Sequence, residues 1–414
     1  MILVKPYLGC NLRCAYCYQA DLREQDNPHT KMDYDLEAVL ETMEVLYKEE
    51  NQSISLHGGE PLAIPIEDIE AFFKKSVELQ GRSGIQTSGY LINDEIIGLF
   101  KKYKTSVGIS IDGFYPENKL RGFPGNAEKT KEYTKKVLSN IEAMCAESVI
   151  PGMIIVLHKA NAIGKHLEHL KDFVKWLGNL GVKSGKFNPC SVDNPKKAKE
   201  MELSPNELKY AWLELAKFTL IDNGLHWGPF TSMLKNLRGS YLGDCIFLKC
   251  DFWSTRSAKV ILGDGTVSCC ARTFNVIGST FMRTGVQTFE RYEALEQIPM
   301  DKGGCSDCRY YRVCNAGCPA RGIDGDWRNK DRYCEAIYGL YEHLEKHIRA
   351  FDPNVVLITD KSYKQKANAG SPPSSREHDD FDHGDYQDHG DSDTRANVDN
   401  HDDSHGDYED HQDA

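Results

Sequence analysis

The sequence predicts an α/β fold: a partial (β/α)6 barrel of TIM type, followed by a small cysteine-rich C-terminal domain and a disordered tail. Three features predict it. Strand-like and helix-like segments alternate from Ile2 to Asn188, the pattern of parallel βα units. Motifs rich in glycine and polar residues fall at the ends of the strand-like runs, where βα barrels keep their chemistry. Cysteine then dominates the next stretch, and aspartate and histidine dominate the last. At 414 residues the chain exceeds one small core. The composition shifts divide it into a barrel at 1–230, a cysteine-rich domain at 231–350 and a linker with tail at 351–414.

The elements follow in order. Ile2-Leu3-Val4-Lys5-Pro6-Tyr7 reads as a short strand running into a cysteine loop. Further strands are expected at Ser53–Leu56, Gly84–Thr87, Ser106–Ile111, Ile150–Leu157 and Val182–Asn188. Apolar residues at helical spacing predict amphipathic helices at Asp33–Glu50, Ile66–Leu79, Asp94–Tyr103, Ala127–Cys145 and Ile163–Leu180. Asp33 and Asn93 are expected to cap two of them. A connecting helix is expected at Ser204–Asn223 and a last one at Glu335–Ala350. Gly370-Ser371-Pro372-Pro373-Ser374-Ser375 reads as a linker, and the residues after it are too polar to form a core.

Composition narrows the function classes. No apolar run approaches the roughly 20 residues of a membrane span, and the N-terminus lacks a signal-peptide pattern, so a cytoplasmic protein with no membrane partner is expected. The net charge is −12 over the whole chain, but the residues from Arg376 onward alone carry −13. The body is therefore close to neutral, with no global charge signal for nucleic acid. The fourteen cysteines sit at metal-ligand spacings in a long chain, which reads as reduced thiolates rather than disulfides.

The chemistry starts at Gly9-Cys10-Asn11-Leu12-Arg13-Cys14-Ala15-Tyr16-Cys17-Tyr18. Three thiols fall in one tight loop, spaced C-x3-C-x2-C, with no fourth ligand beside them. Structural zinc wants four protein ligands. Three suit a cubane iron–sulfur cluster with one iron left open to a small molecule. The loop resembles the cluster loop of the radical S-adenosylmethionine (radical SAM) enzymes, with Cys10, Cys14 and Cys17 as the cluster ligands.

That resemblance extends to four further segments, each at a strand end. Gly58-Gly59-Glu60-Pro61 would let the backbone approach the ligand, with Glu60 accepting from its ammonium group. Thr87-Ser88-Gly89 stands where relatives often have Thr-Asn-Gly. Ser110 of Ser110-Ile111-Asp112-Gly113 would bond the ribose. Arg121 would pair with the methionine carboxylate, and Tyr16 would lie near the adenine. Bound SAM would then supply a 5′-deoxyadenosyl radical, with the protein orienting the reactants and excluding water.

Cys250, Gly265, Cys270, Cys305-x2-Cys308-x5-Cys314-x3-Cys318 and Cys334 resemble the seven-cysteine SPASM extension of peptide and protein maturases. Cys245 matches the additional ligand of members with two fully ligated auxiliary clusters. The resemblance implies one [4Fe-4S] cluster on Cys245, Cys250, Cys270 and Cys318 and another on Cys305, Cys308, Cys314 and Cys334, three clusters in all. Cys269, beside Cys270, is the competing ligand there, and two zinc knuckles are the competing reading of the whole field. Cys190, after the sixth strand, would donate hydrogen to a substrate radical or simply pack in the core; Cys145 reads as a core thiol. Anaerobic sulfatase-maturing enzymes carry a basic aspartate directly after the second SPASM cysteine. Here Ala271 and Arg272 follow Cys270, which points away from formylglycine formation by that route and toward another peptide-modifying relative.

The tail repeats His383-Gly-Asp-Tyr-Gln-Asp-His389 as His405-Gly-Asp-Tyr-Glu-Asp-His411. It reads either as a solvated, weakly metal-binding segment or as a tethered substrate, which would need no separate leader capture. The resemblance covers residues 1–345 or so and implies a maturase acting on a ribosomally made peptide or protein by cross-linking, epimerisation or oxidation. A flavodoxin- or ferredoxin-type reductant would serve it. A radical SAM enzyme of small-molecule cofactor synthesis and a non-enzymatic zinc or nickel protein are the competing functions.

Overall fold

The computed structural model describes residues 1–20, 27–192, 195–239, 259–270 and 290–363. A nine-stranded sheet organises it, in the order β7-β6-β5-β4-β3-β2-β1-β8-β9, and it does not close into a full barrel. The six expected strands are β1 (Ile2–Lys5), β2 (Ile54–Leu56), β3 (Gly84–Thr87), β4 (Ser106–Ser110), β5 (Gly152–Leu157) and β6 (Ser184–Pro189). They run parallel in sequential order. The helices between them are α1 (Leu36–Glu50), α2 (Ile66–Gln80), α3 (Asp94–Lys102), α4 (Ala127–Ala146) and α5 (Lys165–Asn179).

The starts of α1, α3 and α4 are set by side chains that satisfy orphan N–H groups of the first turn. Asn93 caps α3, as expected, accepting from Ile96 N at 2.9 Å. Asp33 does not cap α1; Asp35 does, accepting from Ala38 N at 3.0 Å. The helix consequently begins at Leu36 rather than Asp33.

Past β6 come α6 (Pro195–Met201) and α7 (Pro205–Ala216), the latter opened by a capping box between Ser204 and Glu207. The expected single helix to Asn223 is divided, because Lys217–Asp222 winds as a π turn. Then follow β7 (His226–Gly228), α8 (Phe230–Leu237), β8 (Lys259–Leu262) and β9 (Val267–Cys269). Last come α9 (Glu290–Gln297), α10 (Tyr311–Cys314) and α11 (Cys334–Phe351).

The sequence offered six strands; three more join the same sheet. β7 extends it beside β6. β8 lies parallel to β1 on the other side, pairing Ile2 with Lys259 through Lys5 with Leu262, and β9 returns antiparallel to it. The β8–β9 turn holds Gly265 at φ +76°, with a would-be Cβ 3.1 Å from Ala38, so both backbone and space favour glycine there. This hairpin carries the chain from the barrel to Cys270.

The core lies between the sheet and its helices, where β-strand residues such as Ile2, Val4, Ile109 and Ile155 are essentially inaccessible. A second packing layer joins the C-terminal part to the barrel: α11 lies along α7 and α8. Trp212 of α7 is 2% exposed and reaches Phe187 O of β6 with its indole N–H at 3.3 Å. No helix among the described residues is long and apolar enough to cross a membrane.

Candidate functional site

The cysteine loop leaves β1 at the C-terminal end of the sheet and is anchored by buried Leu8 and Leu12. Arg13 N and Ala15 N donate to Gly122 O and Leu120 O, both at 2.8 Å, so the loop pairs with the segment after β4. Cys10, Cys14 and Cys17 are partly exposed and none is in a disulfide. Burial pushes the Cys14 thiol up, partly countered by Arg121. Three free thiols on one pinned loop fit three irons of a cubane and leave the fourth to a ligand.

The end of β2 supports this loop from beneath. Gly59 N and Glu60 N donate to Tyr7 O and Gly9 O, each at 3.0 Å. A Cβ on Gly58 would stand 2.4 Å from Tyr7 O, and one on Gly59 would stand 2.0 Å from Gly9 O. These glycines therefore serve close backbone approach, and the backbone they approach is the cysteine loop itself. Glu60, 1% exposed, is engaged within the chain. It accepts from Thr87 Oγ1 at 2.6 Å, Ser88 N at 2.9 Å, Leu62 N at 3.2 Å and the Ser88 hydroxyl. Its carboxylate thus ties the β2 end to the β3 end. Ser110 ends β4 and accepts from Gln86 Nε2 at 2.9 Å.

The centre of the site is a residue for which the sequence reading gave no role, Asp112, wholly buried just beyond β4. Its Oδ1 accepts from Val156 N at 2.9 Å and lies 3.0 Å from Arg121 Nε. Its Oδ2 meets His158 Nε2 at 3.3 Å and takes the Tyr16 hydroxyl. Its own N–H and C=O are held by Asn118 and Asn161. Burial works to raise the carboxyl, but Arg121, His158 and Tyr16 outweigh it and hold Asp112 at about 2. Arg121 sits 5.5 Å from the Tyr16 ring centroid, and its Nε has no aligned hydrogen-bond acceptor. A buried guanidinium so placed suits an incoming carboxylate. The sequence signal for His158 is its position directly after β5, and that for Asp112 is its place at a strand end beside Ser110.

Cys190 follows β6 and is 1% exposed, packed with Tyr16 and Met201. Its N–H donates to Leu157 O at 2.9 Å, and its C=O accepts from Tyr333 Oη at 3.2 Å. A cavity of about 740 Å3 opens nearby, lined in part by Arg13, Cys14, Lys119, Lys159, Lys197 and Glu200. It borders Cys14 but not Gly58, Gly59, Glu60 or Ser110.

The second cysteine field is partly described; Cys245, Cys250, Ala271 and Arg272 lie outside the described residues, as does the tail. Burial and neighbouring thiols push Cys314 well up, the neighbours being Cys334, Cys305 and Cys308. The same effect brings Cys305 to about 12 and Cys334 to about 11. Cys318 instead has Cys270 as its thiol neighbour. Any metal bound by these thiolates would have to displace the protons. Asp331 binds the two groups together. Its carboxylate accepts from Cys318 N at 3.1 Å and Tyr333 N at 2.8 Å, it pairs with Arg321, and its carbonyl takes Cys334 N at 2.9 Å. Between Cys314 and Cys318 the backbone is left-handed at Asn315, Ala316 and Gly317, φ +48°, +61° and +75°. A non-glycine residue pays for that conformation, and here it turns the two cysteines of one short run toward different partners.

Residues 4–184 match the family described as the Radical SAM superfamily. The chain is 24% identical over 371 residues to the cysteine-type anaerobic sulfatase-maturating enzyme of Clostridium novyi, covering 82% of this chain and 94% of that one. It is also 24% identical to the serine-type anaerobic sulfatase-maturating enzyme of Klebsiella aerogenes, covering 84% and 86%. Among solved structures, native anSMEcpe with bound AdoMet and Cp18Cys peptide superposes with a TM-score of 0.62 at 23% identity, covering 86% of this chain and 99% of that one. Streptococcus suis SuiB bound to precursor peptide SuiA gives a TM-score of 0.55 at 14% identity, covering 80% and 74%. The non-enzymatic zinc or nickel reading is overturned by these relatives: residues 4–184 form a radical SAM domain, and the chain is a radical SAM enzyme homologous to the anaerobic sulfatase-maturating enzymes.

Proposed function

We propose that the enzyme is a maturase whose substrate is an acidic peptide segment, taken up in the cavity beside Cys14. The observation that carries this is the charge of that cavity: Arg13, Lys119, Lys159 and Lys197 line it against one carboxylate, Glu200. Low-dielectric walls of one sign concentrate a ligand of the other. Similar proteins whose structures hold a peptide, Cp18Cys in one and SuiA in the other, support a peptide over a small molecule.

Cys10, Cys14 and Cys17 would hold the cluster, and SAM bound beside it would supply 5′-deoxyadenosyl radical chemistry for hydrogen abstraction. The chain's own residues orient and shield. Arg121 binds the methionine carboxylate, Tyr16 packs near the adenine, Ser110 serves the ribose, and the backbone at Gly58, Gly59 and Glu60 takes the ammonium. The Glu60 carboxylate holds that backbone in place. Cys190, sealed against Tyr16, is the candidate hydrogen donor. Cys245, Cys250, Cys270 and Cys318 would hold one auxiliary [4Fe-4S] cluster and Cys305, Cys308, Cys314 and Cys334 another, which would supply a path for electrons from a flavodoxin- or ferredoxin-type protein. The outcome is a cross-link, an epimerised centre or an oxidised residue, and the chain's own tail, with its net −13, is the first peptide to test.

The test is anaerobic reconstitution, then SAM and dithionite, with mass spectrometry of small molecules and intact protein. Deoxyadenosine is expected from the native enzyme and not from the C10A/C14A/C17A variant. A mass change in the tail, or in an added aspartate-rich peptide, supports the substrate class. Turnover of neutral or basic peptides alone would refute it.

A further inference from the structure

Glu117, His166 and His169, none of them a cysteine-field residue, bring three ligand atoms within 4.8 Å of one another, a gathering that among the described residues no other trio of histidine, cysteine or carboxylate achieves. We infer that these three residues form a binding site for a divalent transition-metal cation of the zinc class.

Glu117 sits on the loop after β4 with its side chain 3% exposed. His166 and His169 stand three apart at the start of α5, hence on one helix face. Both point Nδ1 at the same carboxylate oxygen, Oε1, at 2.8 Å each. The rings are 6.1 Å apart and nearly perpendicular, at 86°, so neither blocks the other's approach to a shared ion.

The donor set selects the ion class. Two imidazoles and one carboxylate suit zinc, iron(II), nickel or copper(II), and suit calcium and magnesium poorly. Three protein ligands leave at least one coordination position to water, the arrangement of exchangeable rather than structural zinc. The exposure of the histidines agrees: their side chains are 34% and 50% accessible, against 3% for Glu117. Buried carboxylates need a counter-charge, and a dication between the imidazoles supplies one. The positive end of α5 opposes a cation, which tempers affinity without removing the ligands. His166 also lines the cavity beside Cys14, so the site borders the space assigned to substrate.

The competing account is a metal-free latch, in which the imidazoles only hydrogen-bond Glu117. Zn2+ alone distinguishes them, applied anaerobically to the full-length, cluster-reconstituted enzyme. Titration against a competing chromophoric chelator is expected to show one equivalent fewer in H166A/H169A and in E117Q than in the native chain. The tail's histidines bind equally in all three and cancel in the difference, and iron content is checked to be constant. Equal counts overturn the site. A second readout needs no variant: Zn2+ is expected to protect His166 and His169 from diethyl pyrocarbonate at least 5-fold, scored by peptide mass spectrometry. Unchanged labelling of both at saturating Zn2+ overturns it also.

Discussion

Asp112 is where most of the site's polar groups converge, and its charge rather than its shape is what they need. Replacing it with asparagine keeps the volume but leaves Arg121 buried without its anion. Removing one partner of a buried ion pair costs about 3–5 kcal/mol, so D112N is expected to lower the denaturation midpoint accordingly and to slow deoxyadenosine formation at least 10-fold. A variant with native stability and native rate would show the network to be incidental. His57 makes a pH prediction. It keeps partial exposure at the end of β2 but lies deep among packed atoms. That desolvation, with Lys5 and Lys186 nearby, depresses it to about 3. Below pH 6.5 the unfolded chain gains a proton that the folded one refuses, so stability falls as pH drops from 6.5 toward 3. Between pH 7.5 and 5.5 the loss is about 1 kcal/mol, and H57Q is expected to lose that much less in urea midpoints over the same range.

At the scale of the element, the cysteine loop and the β2 strap form one unit. Gly59→Ala would drive a Cβ into Gly9 O and Leu8 O, at 2.0 and 2.4 Å. The loop must shift, and the chain is expected to lose about four irons and all SAM cleavage while the fold survives by circular dichroism. Retention of a full iron complement in G59A would refute the strap. Behind the sheet, W212A is expected to cost about 3–5 kcal/mol, because the indole fills the seam between α7 and β6. Much of this was legible in the sequence. Period-2 and period-3.6 runs placed the six inner strands and their helices, since each buries one face locally. What was not legible depends on distant pairing. β8 (Lys259–Leu262) is a four-residue strand whose partner, β1 (Ile2–Lys5), lies far earlier in the chain, and nothing in its own pattern names that partner. Asp35 outcompeted Asp33 as a cap by local geometry that composition does not resolve. Asp112 and the Glu117 cluster escaped because a polar residue declares its role only when the residues facing it are known.

At the scale of the molecule, two charged features call for a common explanation. The cavity beside Cys14 carries Arg13, Lys119, Lys159 and Lys197, while the residues from Arg376 onward carry a net −13. A tethered segment reaches millimolar effective concentration, so even weak attraction would keep the tail ahead of any free acidic peptide. Ending the chain at Ser375 removes that competitor. An added aspartate-rich peptide is then expected to show a KM at least 10-fold lower than with the full-length enzyme, at unchanged kcat. The difference should shrink as salt rises from 50 to 500 mM, because screening shortens the reach of exposed charges. Reversing the cavity, in K119E/K159E/K197E, should raise KM in the truncated enzyme and erase the effect of the tail in the full-length one. Equal KM values with and without the tail would mean that the acidic segment does not visit the cavity, and the attraction would then have to be explained by a separate acidic substrate.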